Sequence, residues 1–233
     1  MKDYVYSPFH FAILLIYFLL FFFFSMLFFM GVPFAFAQLG MPPGVAIFLF
    51  WFALIGSLIN IPITTVPSRI PVVRYREVKF WGITYNIPYT TYENTVIAIN
   101  FGGAIIPIVV SILVFLSLIS HHQFFLILKS LIGILIVTLV AYTFARPVKG
   151  VGIAMPALLP PLVSALVAIF IAPEYPVPVA YVSGTLGTLI GADLMHMKDI
   201  EKLGAPVASI GGAGTFDGIF LSGVIAVLLV FMV

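Results

Sequence analysis

Seven apolar stretches, each near the length a helix needs to cross a bilayer, run through this chain. A membrane-spanning helix takes about 20 predominantly apolar residues. The stretches are Phe9–Met30, Val45–Val66, Asn100–Ile119, Phe124–Phe144, Gly152–Ala172, Val177–Met197 and Gly212–Val233. Charged residues make up only 8% of the chain, against about 25% in a soluble domain. So few charges cannot cover a water-facing surface, so lipid must solvate most of the molecule. The expectation is an all-α polytopic membrane protein with about seven transmembrane helices, multi-pass in the cell membrane.

Several function classes fall away at once. A net charge of +2 gives no electrostatic footprint for nucleic acid. The absence of cysteine excludes disulfides, thiolate catalysis and cysteine-based zinc sites. No cofactor is expected, and the partners expected are the bilayer itself and a membrane-helix peptide substrate.

The first stretch has a second reading. Lys2 precedes it and Ala35-Phe36-Ala37 follows like a signal-peptidase site. Its apolar run exceeds the usual length of a signal peptide's core, so a retained helix is expected.

Basic residues set the orientation. With seven spans, Lys2, Arg69, Arg74, Arg76, Lys79, Arg146, Lys149, Lys198 and Lys202 fall on one side, and Lys129 alone on the other. That bias places the N-terminus in the cytosol and the C-terminus outside. The one substantial loop, residues 67–95, is then cytosolic. Between Val72 and Tyr85 it interleaves Val, Ile, Tyr, Phe and Trp with Arg, Glu and Lys. That composition predicts a small β-hairpin; an irregular interfacial loop anchored by Trp81 and tyrosines is the alternative.

Two of the eight acidic residues, Asp193 and Asp217, fall inside apolar stretches. Intramembrane carboxylates are costly and usually mark a function. Asp193 lies four residues before the end of the sixth stretch and Asp217 five residues into the seventh. Antiparallel neighbours joined by a short loop would bring both to one depth, about 6–8 Å inside the cytosolic edge. Two carboxyls facing each other there would share one proton, the equipment for activating water against a peptide carbonyl. Two separate interfacial aspartates are the plainer alternative. Asp217 sits in a small-residue run from Gly211 to Gly218, which allows close backbone approach. Gly187 and Gly191 form a small-residue pair suited to helix packing. Met155-Pro156-Ala157-Leu158-Leu159-Pro160-Pro161 weakens the local helix and leaves backbone groups to bind an extended peptide.

Residues 212–220, with Gly212, Gly214 and Asp217, resemble the Gly-x-Gly-Asp motif of intramembrane aspartyl proteases, the presenilin and signal peptide peptidase group. Pro156, Ala157 and Leu158 resemble that group's Pro-Ala-Leu motif. The resemblance implies that Asp193 and Asp217 are catalytic, and that Gly212, Gly214, Pro156, Ala157 and Leu158 bind substrate. Thr215 and Phe216 separate the second glycine from Asp217, Ala192 precedes Asp193 where the group usually has Tyr, and Pro-Ala-Leu precedes both aspartates rather than following them. The whole sequence is also similar to an uncharacterised family of archaeal and bacterial multispanning proteins of unknown function, in which Gly-Gly-Ala-Gly-Thr-Phe-Asp-Gly recurs.

Other readings stand beside this one. Asp193 and His196, three apart on a helix face, with Asp217 and His121 or His122, form a weak divalent-metal set; the predicted topology puts both of those histidines on the outer surface, and no metal is assigned. A proton- or cation-coupled transporter would use the same aspartates, with Asn60, Pro62, Asn100 to Gly103 and Pro107 as helix breaks. A non-catalytic scaffold is the third.

Overall fold

Prolines, glycine pairs and β-branched runs cut the apolar stretches into shorter pieces than hydropathy alone implies. The computed structural model describes residues 8–150, 152–212 and 218–233. Helix α1 spans Pro8–Gln38 and α2 spans Pro43–Gly56. Strand β1 (Asn60–Pro67) follows, then a hairpin of β2 (Val72–Phe80) and β3 (Ile83–Thr91), then β4 (Asn94–Asn100). A π-helical turn at Phe101–Ile105 leads into α3 (Ile106–Ser120), and α4 covers Phe124–Phe144. Short strands β5 (Arg146–Val148) and β6 (Gly152–Ala154) precede α5 (Leu159–Ile171) and α6 (Pro176–Thr188). A second π-helical turn, Leu189–Asp193, passes into a 3-10 helix at Leu194–Lys202. Strand β7 (Val207–Ile210) and helix α7 (Gly218–Val230) complete the described elements.

This corrects the all-α, seven-helix expectation. Among the described residues, seven strands form three sheets and three helical runs are long and apolar enough to cross a membrane: Phe101–Ser120, Phe124–Phe144 and Pro176–Lys202. The protein is a membrane protein on that evidence. A hydropathy window counts apolar residues whatever their backbone conformation, and here lies the error. Stretch 45–66 is helical only to Gly56, because Pro62 breaks a helix and the β-branched Ile61, Ile63, Thr64, Thr65 and Val66 favour a strand. Stretch 152–172 opens as β6, and its helix starts at Leu159 with Pro160 and Pro161 in the first turn, where a missing N–H costs nothing.

Helix α6 is the hub, packed between α4, α5 and α7. Small residues allow the close α4–α6 crossing. A Cβ at Gly133 would lie 2.9 Å from Ser183 Cβ, one at Gly187 2.6 Å from Val137 Cβ, and one at Gly191 2.8 Å from Ala141 Cβ. The Ala35-Phe36-Ala37 run lies inside α1. Ala35 and Phe36 are fully buried, and the Phe36 ring meets those of Tyr181 and Phe220 edge-on at 6.1 Å.

The sheet that frames the site has the order β1-β4-β7. β1 and β4 are antiparallel, from Asn60↔Asn100 to Pro67↔Asn94. The prolines of β1 are tolerated because it is an edge strand. β4 and β7 are parallel, from Val96↔Val207 to Ile99↔Ile210. The buried Thr95 hydroxyl donates to the Ala205 carbonyl (2.8 Å), fastening the start of this pairing. Ile97, Ile210, Leu189, Ile200 and Ile219 pack together on this side.

The β2–β3 hairpin projects from the β1–β4 pair. At its base Arg74 Nε and Nη2 donate to Glu93 Oε1 and Oε2 (2.6 and 2.9 Å). These hydrogen bonds, with the Arg74 charge, hold the Glu93 carboxyl below its usual range. A carboxyl lowered by folding contributes at neutral pH and loses its contribution as pH falls through the lowered value. Acidification past that point is expected to loosen the hairpin base, seen as lower amide protection over residues 72–91 relative to an unfolded chain at the same pH.

Candidate functional site

The two π-helical turns meet at one residue, Gly211. From one side, Gly211 N–H donates to Asp193 Oδ2 (3.1 Å), the last residue of the Leu189–Asp193 turn. From the other side, a Cβ at Gly103 would fall on the Gly211 carbonyl oxygen, and one at Gly211 would lie 2.6 Å from Ala104 Cβ. Gly211 has φ +82°, which a side chain would resist. Such π-helical turns recur at functional sites, where an extra residue redirects a side chain. Here the second turn presents a half-buried Asp193 carboxylate to the end of β7.

The other wall is a polar network. Asn100 is fully buried. Its Nδ2 donates to the Ser57 carbonyl (2.7 Å) and to Asn60 Oδ1 (3.1 Å), and its Oδ1 accepts from Gly103 N–H (2.7 Å). Asn60 Oδ1 also accepts from Ser209 Oγ (2.6 Å). The network joins α2, all three strands and the first π-helical turn. It therefore fixes where β7 ends and where Gly211 sits. Asn60 and Asn100 stood out in the sequence as breaks in membrane helices; the structure makes them cross-links within a sheet.

Two adjacent parallel strands thus run into like segments. β4 ends at Asn100 and continues through Gly102-Gly103-Ala104; β7 ends at Ile210 and continues through Gly211-Gly212-Ala213. The crevice beyond the C-terminal ends of parallel strands is a recurrent place for ligands. The repeated Gly-Gly-Ala was the available signal, and the sequence reading passed over it.

Gly212 is half-buried and its N–H donates to the Ser209 carbonyl (3.2 Å). Asp217 and Gly214 lie outside the described residues. The chain is described again from Gly218, where a Cβ would be 3.8 Å from Met155 Cε and 3.9 Å from Thr188 Cγ2. Met155 itself packs on Ala141, Ala145 and Ala192. So Met155 packs against the cluster that holds Ala192, the residue before Asp193, and also lies beside Gly218. Pro156, Ala157 and Leu158 are exposed next to it.

His196 is buried in the 3-10 helix that Asp193 precedes. Its Nδ1 donates to the Gly191 carbonyl (3.1 Å) and its ring lies 4.9 Å from that of Tyr142. His121 and His122 belong to the α3–α4 turn. His121 lines a cavity of 320 Å³ there with Gln38, Ser117, Gln123 and Tyr175, and Asp193 is not part of that lining. Among the described residues, no three His, Asp or Glu side chains gather to hold a metal ion.

Compared with known families, residues 54–229 match the model of one described as "Protein of unknown function (DUF1614)". No curated protein and no solved structure matches the chain.

Proposed function

Taking as premise that the chain belongs to the DUF1614 family of proteins of unknown function, we propose that it is an intramembrane aspartyl peptidase whose reacting pair is Asp193 and Asp217. One observation carries this reading. The Gly211 N–H on Asp193 Oδ2 ties one carboxylate to the first residue of the glycine-rich run that contains the other. The position of Gly218 beside Met155 brackets that run from its far end.

In the proposed reaction one carboxyl is ionised and the other protonated. The ionised group takes a proton from water, and the oxygen adds to the peptide carbonyl carbon. The protonated group gives its proton to the carbonyl oxygen. Collapse of the tetrahedral adduct, with a proton passed to nitrogen, releases an acid and an amine. Gly212, Gly214 and the exposed Pro156-Ala157-Leu158 segment line the substrate path. β7 is an edge strand of its sheet; an extended peptide added along it would run toward Gly211 and Asp193.

The site faces the cytosol in this reading, with the N-terminus on the same side. Its support is that basic segments gather there: Arg69 N–H donates to the Glu201 carbonyl and Gly150 N–H to the Leu203 carbonyl (both 2.7 Å).

Purified protein in proteoliposomes, incubated with fluorogenic single-helix membrane peptides, tests the proposal. Cleavage by the native chain and none by Asp217→Asn is the expected result. A photo-reactive peptide carrying a hydroxyl isostere should label the native chain and not the variant. Equal cleavage by both proteins, or neither cleavage nor aspartate-dependent labelling, sinks it.

Proton- or cation-coupled transport is a second reading, favoured by a row of buried hydroxyls. Tyr181, Thr185 and Thr188 share one face of α6, and Thr188 Oγ1 donates to Ser222 Oγ on α7 (3.1 Å). Ion flux unaltered by Asp193→Asn counts against it.

A further inference from the structure

The β2–β3 hairpin has one apolar face, a basic flank and an aromatic tip, and nothing in the proposed chemistry uses them. Directly opposed residues of an antiparallel pair share a face. The register puts Arg74 with Tyr89, Arg76 with Ile87, Val78 with Tyr85 and Phe80 with Ile83 on one side. The other side carries Tyr75 with Pro88, Glu77 with Asn86 and Lys79 with Thr84. Every aromatic and aliphatic side chain on the first face is exposed, with Phe80 at 64% and Ile83 at 58%.

The tip is more telling. Phe80 and Ile83 pair across a two-residue turn, Trp81-Gly82, whose φ values are 53° and 77°. Two positive φ values define the tight hairpin turn that favours Asn-Gly, because a bulky side chain is strained in that conformation. Trp81 occupies the strained position and is 90% exposed. An observed outlier of this kind points to a contact made by the side chain.

We infer that the hairpin lies on the bilayer, apolar face down, with Trp81 in the headgroup region and Arg76, on that same face, toward anionic lipid phosphates. Three features of the protein name this occupant. The chain is a membrane protein, and β4 runs directly into Phe101–Ser120, a helical run able to cross the membrane. Tryptophan and tyrosine are the side chains that settle at the membrane–water boundary. Between Val72 and Thr91 there are three cations against one anion, Glu77, a balance that suits the negative potential of the cytoplasmic leaflet. The inference does not depend on peptidase activity.

The chain has two tryptophans, so Trp51→Phe leaves Trp81 as the only one, excited selectively at the red edge where tyrosine does not absorb. In vesicles of phosphatidylcholine and phosphatidylglycerol, Trp81 emission is expected at shorter wavelength than in water. It should be quenched by lipids brominated near the headgroup and protected from acrylamide. Arg76→Gln should shift the docked-to-free ratio about fivefold toward free, and Lys79→Gln, on the opposite face, should shift it less. Adding salt should act the same way. Should Trp51→Phe fail to fold, subtracting the Trp81→Phe spectrum from that of the native protein isolates the same signal. Open acrylamide access without bromine quenching would mean a hairpin standing in water. Protection from both quenchers would mean a protein cover, such as a second copy. Either result overturns the inference.

Discussion

Asp193→Asn is expected to slow peptide hydrolysis about 10²–10⁴-fold, the range for losing a positioned acid–base group. The substitution is close to isosteric. The Asn oxygen can still accept from Gly211 N–H at the place where Asp193 Oδ2 sits 3.1 Å away. The fold should therefore survive, with an unchanged thermal transition in detergent. What disappears is the capacity to take or give a proton. Asp217→Asn should do equal damage, and the double variant should be no slower than either single one, because groups acting as a unit are not additive. The native pH–rate profile should be bell-shaped. Single-turnover cleavage of one substrate by all four proteins measures this. A double variant slower than either single one by the product of their effects would mean that the two residues do not act together.

Gly103→Ala is expected to disrupt the site with a single added methyl group. Its Cβ would fall on the Gly211 carbonyl oxygen, with Asn100 Oδ1 only 3.2 Å away. Both neighbours are fixed, one as backbone and the other by three hydrogen bonds, to Gly103 N–H, the Ser57 carbonyl and Asn60. No flexible side chain can yield. Overpacking of this kind costs about 1–3 kcal/mol, and relief requires moving Gly211. That movement withdraws the N–H from Asp193, so activity should fall further than stability. Gly44→Ala is the control. It lies in the first turn of α2 with nothing within 4 Å of an added Cβ, and should change stability by no more than about 0.5 kcal/mol. Denaturant titration in detergent, run beside the cleavage assay, separates the two effects. Equal stability of Gly103→Ala and Gly44→Ala would show that the approach of Gly103 to Gly211 is looser than described.

What the residues reveal and conceal follows from how local the signal is. α4 is plain in the sequence because everything agrees over 21 residues: apolar throughout, one charge at Lys129, no proline. β1 is concealed because Ile61, Ile63 and Val66 raise hydropathy as well as any helix would. Their β-branching, with Pro62 and Pro67 set against a helix, was the better guide. The hairpin's alternation of apolar and charged residues is a period-two signal, visible locally. The parallel β4–β7 pairing is not local at all. Thr95 and Ala205, bonded across its start, are 110 residues apart, and no pattern in either segment announces the other. The same holds for the site. Asp193 announced itself as a charge in an apolar stretch, and the glycine-rich run as a place of close approach. That the first contact between them is a backbone N–H from Gly211 depends on where β7 ends, which only the sheet decides. Asp217 remains a sequence assignment, outside the described residues.

The parallel pairing has a consequence for how the protein is made. A ribosome delivers β1 and β4 early, and they can pair at once as near neighbours in the chain. The edge that β4 offers to β7 must then wait for about 110 residues of synthesis. During that interval the three helical runs long enough to cross a membrane are made, while an unpaired strand edge stays open to other chains. β7 arrives last, closes the edge, and in the same step brings Gly211 to Asp193. Strand closure and site assembly are thus a single late event, and a chain stalled before Val207 carries the carboxylate without the amide that holds it.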